Sequence, residues 1–106
     1  MSDPIHHAMS SARKFGGRPE DYLEVHEWFD ETKAGLADAR HRAMRHHSEG
    51  IKECMRRFGP WIEIKAQDGK PRFISVRMVA EQHVKEDLGH IPTMADWLRC
   101  MASSHG

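Results

Sequence analysis

The stretch WIEIKAQDGKPRFISVRM, residues 61–78, constrains the fold most, because Ile62, Ile64 and Ala66 recur at every second position near its start. Ile62 and Ile64 alternate with charged residues, which is typical of a strand with one buried face. Asp68-Gly69 follows and favours a tight turn, so the pattern predicts a β-hairpin. No other stretch alternates convincingly, and we therefore expect a small sheet in a mainly helical α+β fold.

Helical periodicity predicts five helices around this hairpin. Capping residues, prolines and glycines mark most of their ends. The predicted helices run from Pro4 to Gly16-Gly17, from about Pro19 to about Gly35, from Asp38 to Gly59-Pro60, from about Met78 to Leu88, and from Thr93 into the tail. We expect one domain over residues 1–106, with residues 102–106 frayed.

Composition and charge disfavour several classes of protein. Lysines and arginines balance acids at 16 each, so the overall charge does not attract nucleic acid or a membrane surface. Glu49 and Glu53 interrupt the basic face of the third predicted helix, which further disfavours nucleic-acid binding. Without a leader or an apolar run of about 20 residues, a cytoplasmic protein is expected. Three tryptophans and seven methionines in so short a chain favour a homodimer.

Two similar pairs stand out among the nine histidines of the chain. In EVHEWFDETK, His26 and Asp30 are one helical turn apart, and EQHVKEDLG repeats that spacing with His83 and Asp87. Both pairs are predicted to lie beside the buried face of their helix. Neutral histidine is the commonest metal ligand in proteins, so the two pairs are candidates for one shared site.

The histidines of the third predicted helix differ in environment if that helix is continuous. His47 falls in the middle of its apolar face, whereas His41 flanks that face and His46 points away. A buried imidazole without a partner costs on the order of 1–3 kcal/mol. His47 is therefore predicted to bind a carboxylate or a metal ion.

These positions together predict a metal site with His26, His47 and His83 as ligands. Asp30 or Asp87 is predicted as a further ligand, or as the proton acceptor of a catalytic site. The donor set suits a divalent transition metal, zinc first, with iron, manganese and nickel left open. A metal with an open coordination position activates water, so the site predicts a hydrolase, and nearby arginines indicate a phosphoester substrate.

A non-enzymatic binding module is the alternative, such as a phage-type inhibitor or a protein that sequesters a small ligand. A histidine four residues from an aspartate often makes only a local hydrogen bond, and buried histidines are often structural. Arg40 also falls on the predicted buried face, where it would need a carboxylate or a bound anion. Whether His6, His7, His41 or His46 joins the site stays open.

The motifs HEWFDETK, RHRAMRHHSEGI and EQHVKEDLGHIPTMADW follow one another along the chain. Their order resembles that of a family of small, uncharacterised proteins from bacteria and their phages, over about residues 6–98. The resemblance implies one whole domain and no particular activity. It draws attention by position to His26, Asp30, His41, His46, His47, His83 and Asp87. Between the two adjacent histidines, the helical pattern favours His47 over His46.

Overall fold

The fold is mainly helical α+β, as predicted. The computed structural model describes residues 3–34 and 42–105. In those ranges the chain forms α1 (Pro4–Phe15), α2 (Leu23–Asp30), α3 (Arg42–Arg45), α4 (Ser48–Phe58), β1 (Trp61–Lys65), β2 (Pro71–Ser75), α5 (Val76–Leu88) and α6 (Met94–His105). Short 3₁₀ turns at Pro19–Asp21 and Glu31–Ala34 flank α2. None of the helices in this part of the chain is long and apolar enough to cross a membrane.

α1 begins and ends where the sequence predicts. Pro4 occupies the first turn, where a backbone N–H has no partner within the helix, and Gly16 ends the helix with a φ of 92°. Gly17 also has a positive φ, and a Cβ atom there would lie 2.8 Å from Asp21 Oδ2 and 3.2 Å from Ile64 Cδ1. Glycine at position 17 therefore lets the loop after α1 lie directly against β1.

The predicted second helix is present as α2 with its two flanking 3₁₀ turns. Its predicted buried face is confirmed, because Tyr22, Val25 and Phe29 are all buried. The Tyr22 hydroxyl donates a hydrogen bond to the backbone carbonyl of Gly16 over 2.7 Å. That bond joins the start of α2 to the end of α1 and fixes the direction in which α2 leaves the loop.

The prediction of one continuous third helix is wrong, because the chain breaks between α3 and α4. His47 is extended, with φ −161°, and its Nδ1 accepts a hydrogen bond from Gly50 N over 3.0 Å, which caps the start of α4. The chain folds so tightly here that a Cβ atom at Gly50 would lie 1.8 Å from the carbonyl oxygen of Arg45. Asp38, the predicted cap, lies outside the described residues.

The predicted hairpin is confirmed. β1 and β2 pair antiparallel, with Ile62 opposite Ile74 and Glu63 opposite Phe73. Asp68 Oδ1 accepts a hydrogen bond from Lys70 N over 3.0 Å in the connecting turn. The inner face of the sheet packs on the hydrophobic core through buried isoleucines, Ile64 and Ile74.

α5 begins at Val76, two residues before the predicted start at Met78, and is capped by Ser75, whose Oγ accepts from Met78 N over 3.3 Å. Gly89 ends α5 in the left-handed conformation, as predicted. α6 is capped by Thr93 as predicted, since Thr93 Oγ1 accepts from Asp96 N over 3.1 Å. The helices therefore start and stop mainly where local capping chemistry directs them.

Candidate metal centre

A cluster of polar side chains lies in the interior between α1, α2, α5 and the break after α3. Its histidines are all buried, with relative exposures of 1% for His7 and 0% for His26, His46 and His83. Two aspartates complete the cluster, and they lie one turn after His26 and His83 on the same helices. The cluster consists of His7, His26, Asp30, His46, His83 and Asp87.

Four of these side chains bring one ligand atom each into a compact group, which we call the His2Asp2 group. The atoms are Asp30 Oδ1, His46 Nε2, His83 Nε2 and Asp87 Oδ2, and all lie within 4.8 Å of one another. The His46 nitrogen is 3.1 Å from that of His83 and 2.9 Å from Asp87 Oδ2, which in turn is 3.3 Å from His83. Asp30 Oδ1 lies 3.8 Å from His46 and 3.6 Å from His83.

Three buried histidines form a second group that could hold a metal ion, and it shares His83 with the first. The rings of His26 and His83 are stacked with centroids 5.1 Å apart, and the ring centroid of His7 lies 4.1 Å from that of His83. His26 Nδ1 is 2.9 Å from His83 Nδ1, and His26 Nε2 is 2.7 Å from Ser11 Oγ. Both ring nitrogens of His26 are thus engaged within the protein.

His7 bridges two carboxylates of α5. Its Nδ1 is 2.7 Å from Glu86 Oε1 and its Nε2 is 3.1 Å from Asp87 Oδ1. Ionised carboxylates only accept hydrogen bonds, so both ring nitrogens of His7 donate and the ring is positively charged. Burial acts to lower the pKa of His7, but Asp87 and Glu86 outweigh it and raise that pKa. His7 therefore holds Oδ1 of Asp87, which leaves Oδ2 facing His46 and His83.

The aspartates are ionised, whereas His26 and His46 are neutral. Burial acts to raise the pKa of Asp87, but hydrogen bonds from His46 and His7 hold it well below its usual range. The pKa of Asp30 is also lowered, by His83, against the effect of burial. Burial lowers the pKa of His26 to about 2 and also lowers that of His46. Neutral imidazoles and ionised carboxylates are the protonation states that metal ligands require.

The structure brings together four of the five predicted ligands, namely His26, Asp30, His83 and Asp87, but not His47. His47 is buried at the start of α4, with Nδ1 bonded to Gly50 N, and belongs to neither ligand group. The adjacent His46 lies in the cluster instead, because the break between α3 and α4 turns it inward. Arg40, the predicted anion-binding residue, and His41 lie outside the described residues.

Sequence reasoning placed His7 off the buried face of α1, and it did not identify Ser11 or Gln82. The structure buries all three and exposes His6. A signal was present, because His7 and Ser11 lie one helical turn apart and directly beside Ala8 and Ala12, the small residues of that helix face. Small residues allow close helix packing, so polar side chains next to them are good candidates for burial.

An acidic cavity of about 650 Å³ adjoins the cluster at Asp30. Its carboxylates attract cations and repel phosphates. The charged residues that line it are Asp3, Glu24, Glu27, Asp30, Glu31 and Arg57. Asp30 is thus the member of the His2Asp2 group that also faces a cavity.

The chain belongs to the family described as domain of unknown function (DUF6915), whose model matches residues 2–105. This match confirms the resemblance to a family without an established activity. Neither a comparison with curated proteins nor one with solved structures finds a match. The function must therefore be inferred from the chemistry of the cluster.

Proposed function

We propose that this member of the DUF6915 family binds one divalent transition-metal ion, such as zinc, through the His2Asp2 group. The observation that carries the proposal is the spacing of the four ligand atoms. Ligands about 2.1 Å from a tetrahedral metal lie about 3.4 Å from one another. The distances that involve His46 and His83 range from 2.9 to 3.8 Å, which brackets that value.

Charge supports the same group. Asp30 and Asp87 supply two negative charges to the group, which match the charge of a divalent cation. His7 and Arg42 face Oδ1 of Asp87, with Arg42 Nη2 3.9 Å away, and Oδ2 remains directed at the two histidines.

The group of His7, His26 and His83 suits a metal less well. A positively charged His7 has no lone pair to offer, because both of its nitrogens donate to Glu86 and Asp87. His26 is bonded to Ser11 and to His83. His7 and His26 therefore act as outer partners, which hydrogen-bond the ligands Asp87 and His83 and orient them, as is common around metal sites.

Binding or sequestration of a cation is a better match to the surroundings than hydrolysis of a phosphoester. Four protein ligands are typical of closed structural sites, whereas catalytic zinc sites keep one position open. The acidic lining of the adjoining cavity favours entry of a cation over a phosphate. Hydrolysis, with Asp30 or Asp87 as proton acceptor, remains a prediction from the sequence. It would require Asp30, which faces the cavity, to leave the metal.

The test is metal content per chain after reconstitution with zinc and removal of excess metal. We expect one zinc per chain in the wild-type protein and in a His90→Ala control, because His90 is exposed. His46→Ala, His83→Ala and Asp87→Asn should each lose it. His7→Ala should weaken binding without abolishing it. A wild-type protein without zinc, or a His46→Ala variant that keeps it, would contradict the proposal.

A further inference from the structure

We infer that Ser11 is a positioning residue that acts through His26 to fix the proton of His83 on Nδ1, so that the Nε2 lone pair faces Asp30, His46 and Asp87. The inference deepens the proposed function, on which its consequence for metal affinity rests. It rests on the direction of each hydrogen bond along a chain of buried groups that runs from Gln82 through Ser11 and His26 to His83.

The direction of the chain is set at Gln82. The Gln82 amide nitrogen lies 3.1 Å from the carbonyl oxygen of His7 and 3.0 Å from Glu86 Oε1. Both of these atoms only accept hydrogen bonds, so the nitrogen donates to both. The amide oxygen of Gln82 therefore faces Ser11.

Ser11 must donate to this oxygen or to a carbonyl oxygen. Its hydroxyl oxygen lies 2.6 Å from Gln82 Oε1 and 3.1 Å from the carbonyl oxygen of His7, and neither can donate. The single hydroxyl proton of Ser11 therefore points to one of these two oxygens. Ser11 therefore accepts from His26 Nε2, 2.7 Å away, and the proton of His26 lies on Nε2.

The opposite nitrogen of His26 then has a lone pair. His26 is fully buried, and its two ring nitrogens contact a hydroxyl and another imidazole rather than a carboxylate. A fully buried ring without a carboxylate contact is neutral, because an uncompensated buried charge is strongly unfavourable. Nδ1 of His26 thus accepts from Nδ1 of His83 over 2.9 Å, and His83 is the donor.

With the Nδ1 proton of His83 donated to His26, its Nε2 faces the His2Asp2 group, where it lies 3.1 Å from His46 Nε2, which donates to Asp87, so the Nε2 atom of His83 presents its lone pair. The other tautomer would direct a second N–H into that group, beside the N–H of His46, which must itself move to Nδ1 before His46 Nε2 can bind a metal. In the metal-free protein the proton between the two rings belongs to His46, whose Nε2 donates to Asp87 Oδ2 over 2.9 Å. Phe29 stacks on His83 at 4.7 Å and holds the plane of its ring.

The first test is the protonation state of each ring nitrogen in the metal-free wild-type protein, measured by long-range ¹H–¹⁵N NMR of the histidine side chains. We expect the Nε2–H tautomer for His26 and the Nδ1–H tautomer for His83. An Nε2–H tautomer at His83, or a doubly protonated His26 at pH 7, would overturn the inference. This measurement needs no metal, so it stands even if the proposed function fails.

The second test compares Ser11→Ala with Ser10→Ala. Ser10 is adjacent in sequence but bonds Glu86 Oε2 at the surface, over 2.5 Å, and is the matched control. Loss of an outer partner of a metal ligand typically costs about 10–100-fold in metal affinity. We expect that loss for folded Ser11→Ala, measured by competition with a zinc chelator, together with a mixture of tautomers at His26 and His83. An unchanged affinity and unchanged tautomers would overturn the inference; if Ser11→Ala does not fold, the wild-type spectrum decides alone.

Discussion

The two halves of α5 are buried in different surroundings. The first half buries Val76, Val79 and Ala80, which have no polar side-chain atoms. The second half buries Gln82 and His83 in the polar cluster. The same helix therefore contributes to an apolar region and a polar region of one interior, and the two regions are stabilised by different physics.

The apolar region depends on the area removed from water, which contributes about 25 cal/mol per Å² whichever neighbour covers it. The polar region depends on the partner of each atom, because an unpaired buried donor or acceptor costs about 1–3 kcal/mol. Substitutions in the apolar region should thus change stability alone. Substitutions in the polar region should change metal affinity and its coupling to stability.

The largest effect on stability is expected for Ile64→Ala. Ile64 is 2% exposed beneath Gly17, and comparable buried isoleucine-to-alanine changes cost about 2–5 kcal/mol. Urea denaturation in the presence of a chelator measures this loss, with Lys65→Ala, an exposed neighbour on the same strand, as the control. The zinc dissociation constant of the folded variant should not change. A tenfold change would show that the two regions are not independent.

Zinc itself should have the next largest effect. A ligand at 100 times its dissociation constant stabilises the folded state by about 2.7 kcal/mol, if it binds only that state. Zinc should raise the free energy of unfolding of the wild-type protein and of Ile64→Ala by the same amount, measured by urea denaturation with and without zinc. Asp87→Asn keeps the shape of the side chain but removes its charge. Zinc should therefore leave the free energy of unfolding of this variant almost unchanged. Equal stabilisation of Asp87→Asn would place the metal elsewhere.

A decrease in pH should destabilise the metal-free protein through the polar region. The pKa of His26 and of His46 is lowered from 6.5, so below pH 6.5 the unfolded chain binds protons more readily at these residues and the free energy of unfolding falls. Each shifted group contributes at most about 1.4 kcal/mol per pH unit, and we expect a loss of about 1–2 kcal/mol between pH 6.5 and 5.5. The raised pKa of His7 adds stability that is complete below pH 6.5 and is lost as pH rises, so it does not offset this loss.

Urea denaturation at the two pH values, with a chelator present, measures the difference. Ile64→Ala serves as the control because it removes no titratable group, and its loss on acidification should equal that of the wild-type protein. A pH-independent free energy of unfolding would mean that these histidines are not buried as neutral rings.

Features that depend on local spacing were predictable from the sequence. The hairpin follows from alternation and Asp68-Gly69, and the inward placement of His26 and His83 follows from helical periodicity beside apolar residues. The aspartates one turn later follow from the same rule. Each of these predictions needs only residues within about four positions in a helix or a single turn in a hairpin.

Features that depend on distant contacts were not predictable. His7 meets Glu86 and Asp87, 79 and 80 residues away in sequence, and no local pattern selects those partners. The break that turns His46 inward includes a hydrogen bond from Ser48 N to the carbonyl oxygen of Pro92, 2.9 Å long. A helical wheel assumes that the helix continues, so it favoured His47 over His46, whereas the structure buries both and brings His46 into the cluster.

The smallest expected effect concerns that choice between adjacent histidines. His47→Ala removes the side-chain cap of α4, and loss of such a cap typically costs about 1 kcal/mol. His47→Asn retains a capping acceptor and should cost less than His47→Ala. Both variants should bind zinc with wild-type affinity, because His47 is not in the His2Asp2 group, whereas His46→Ala should not bind it. Chelator competition and urea denaturation on the three variants measure the two quantities separately. If His47→Asn lost zinc while His46→Ala kept it, His47 would be the metal ligand, as the helical wheel predicted.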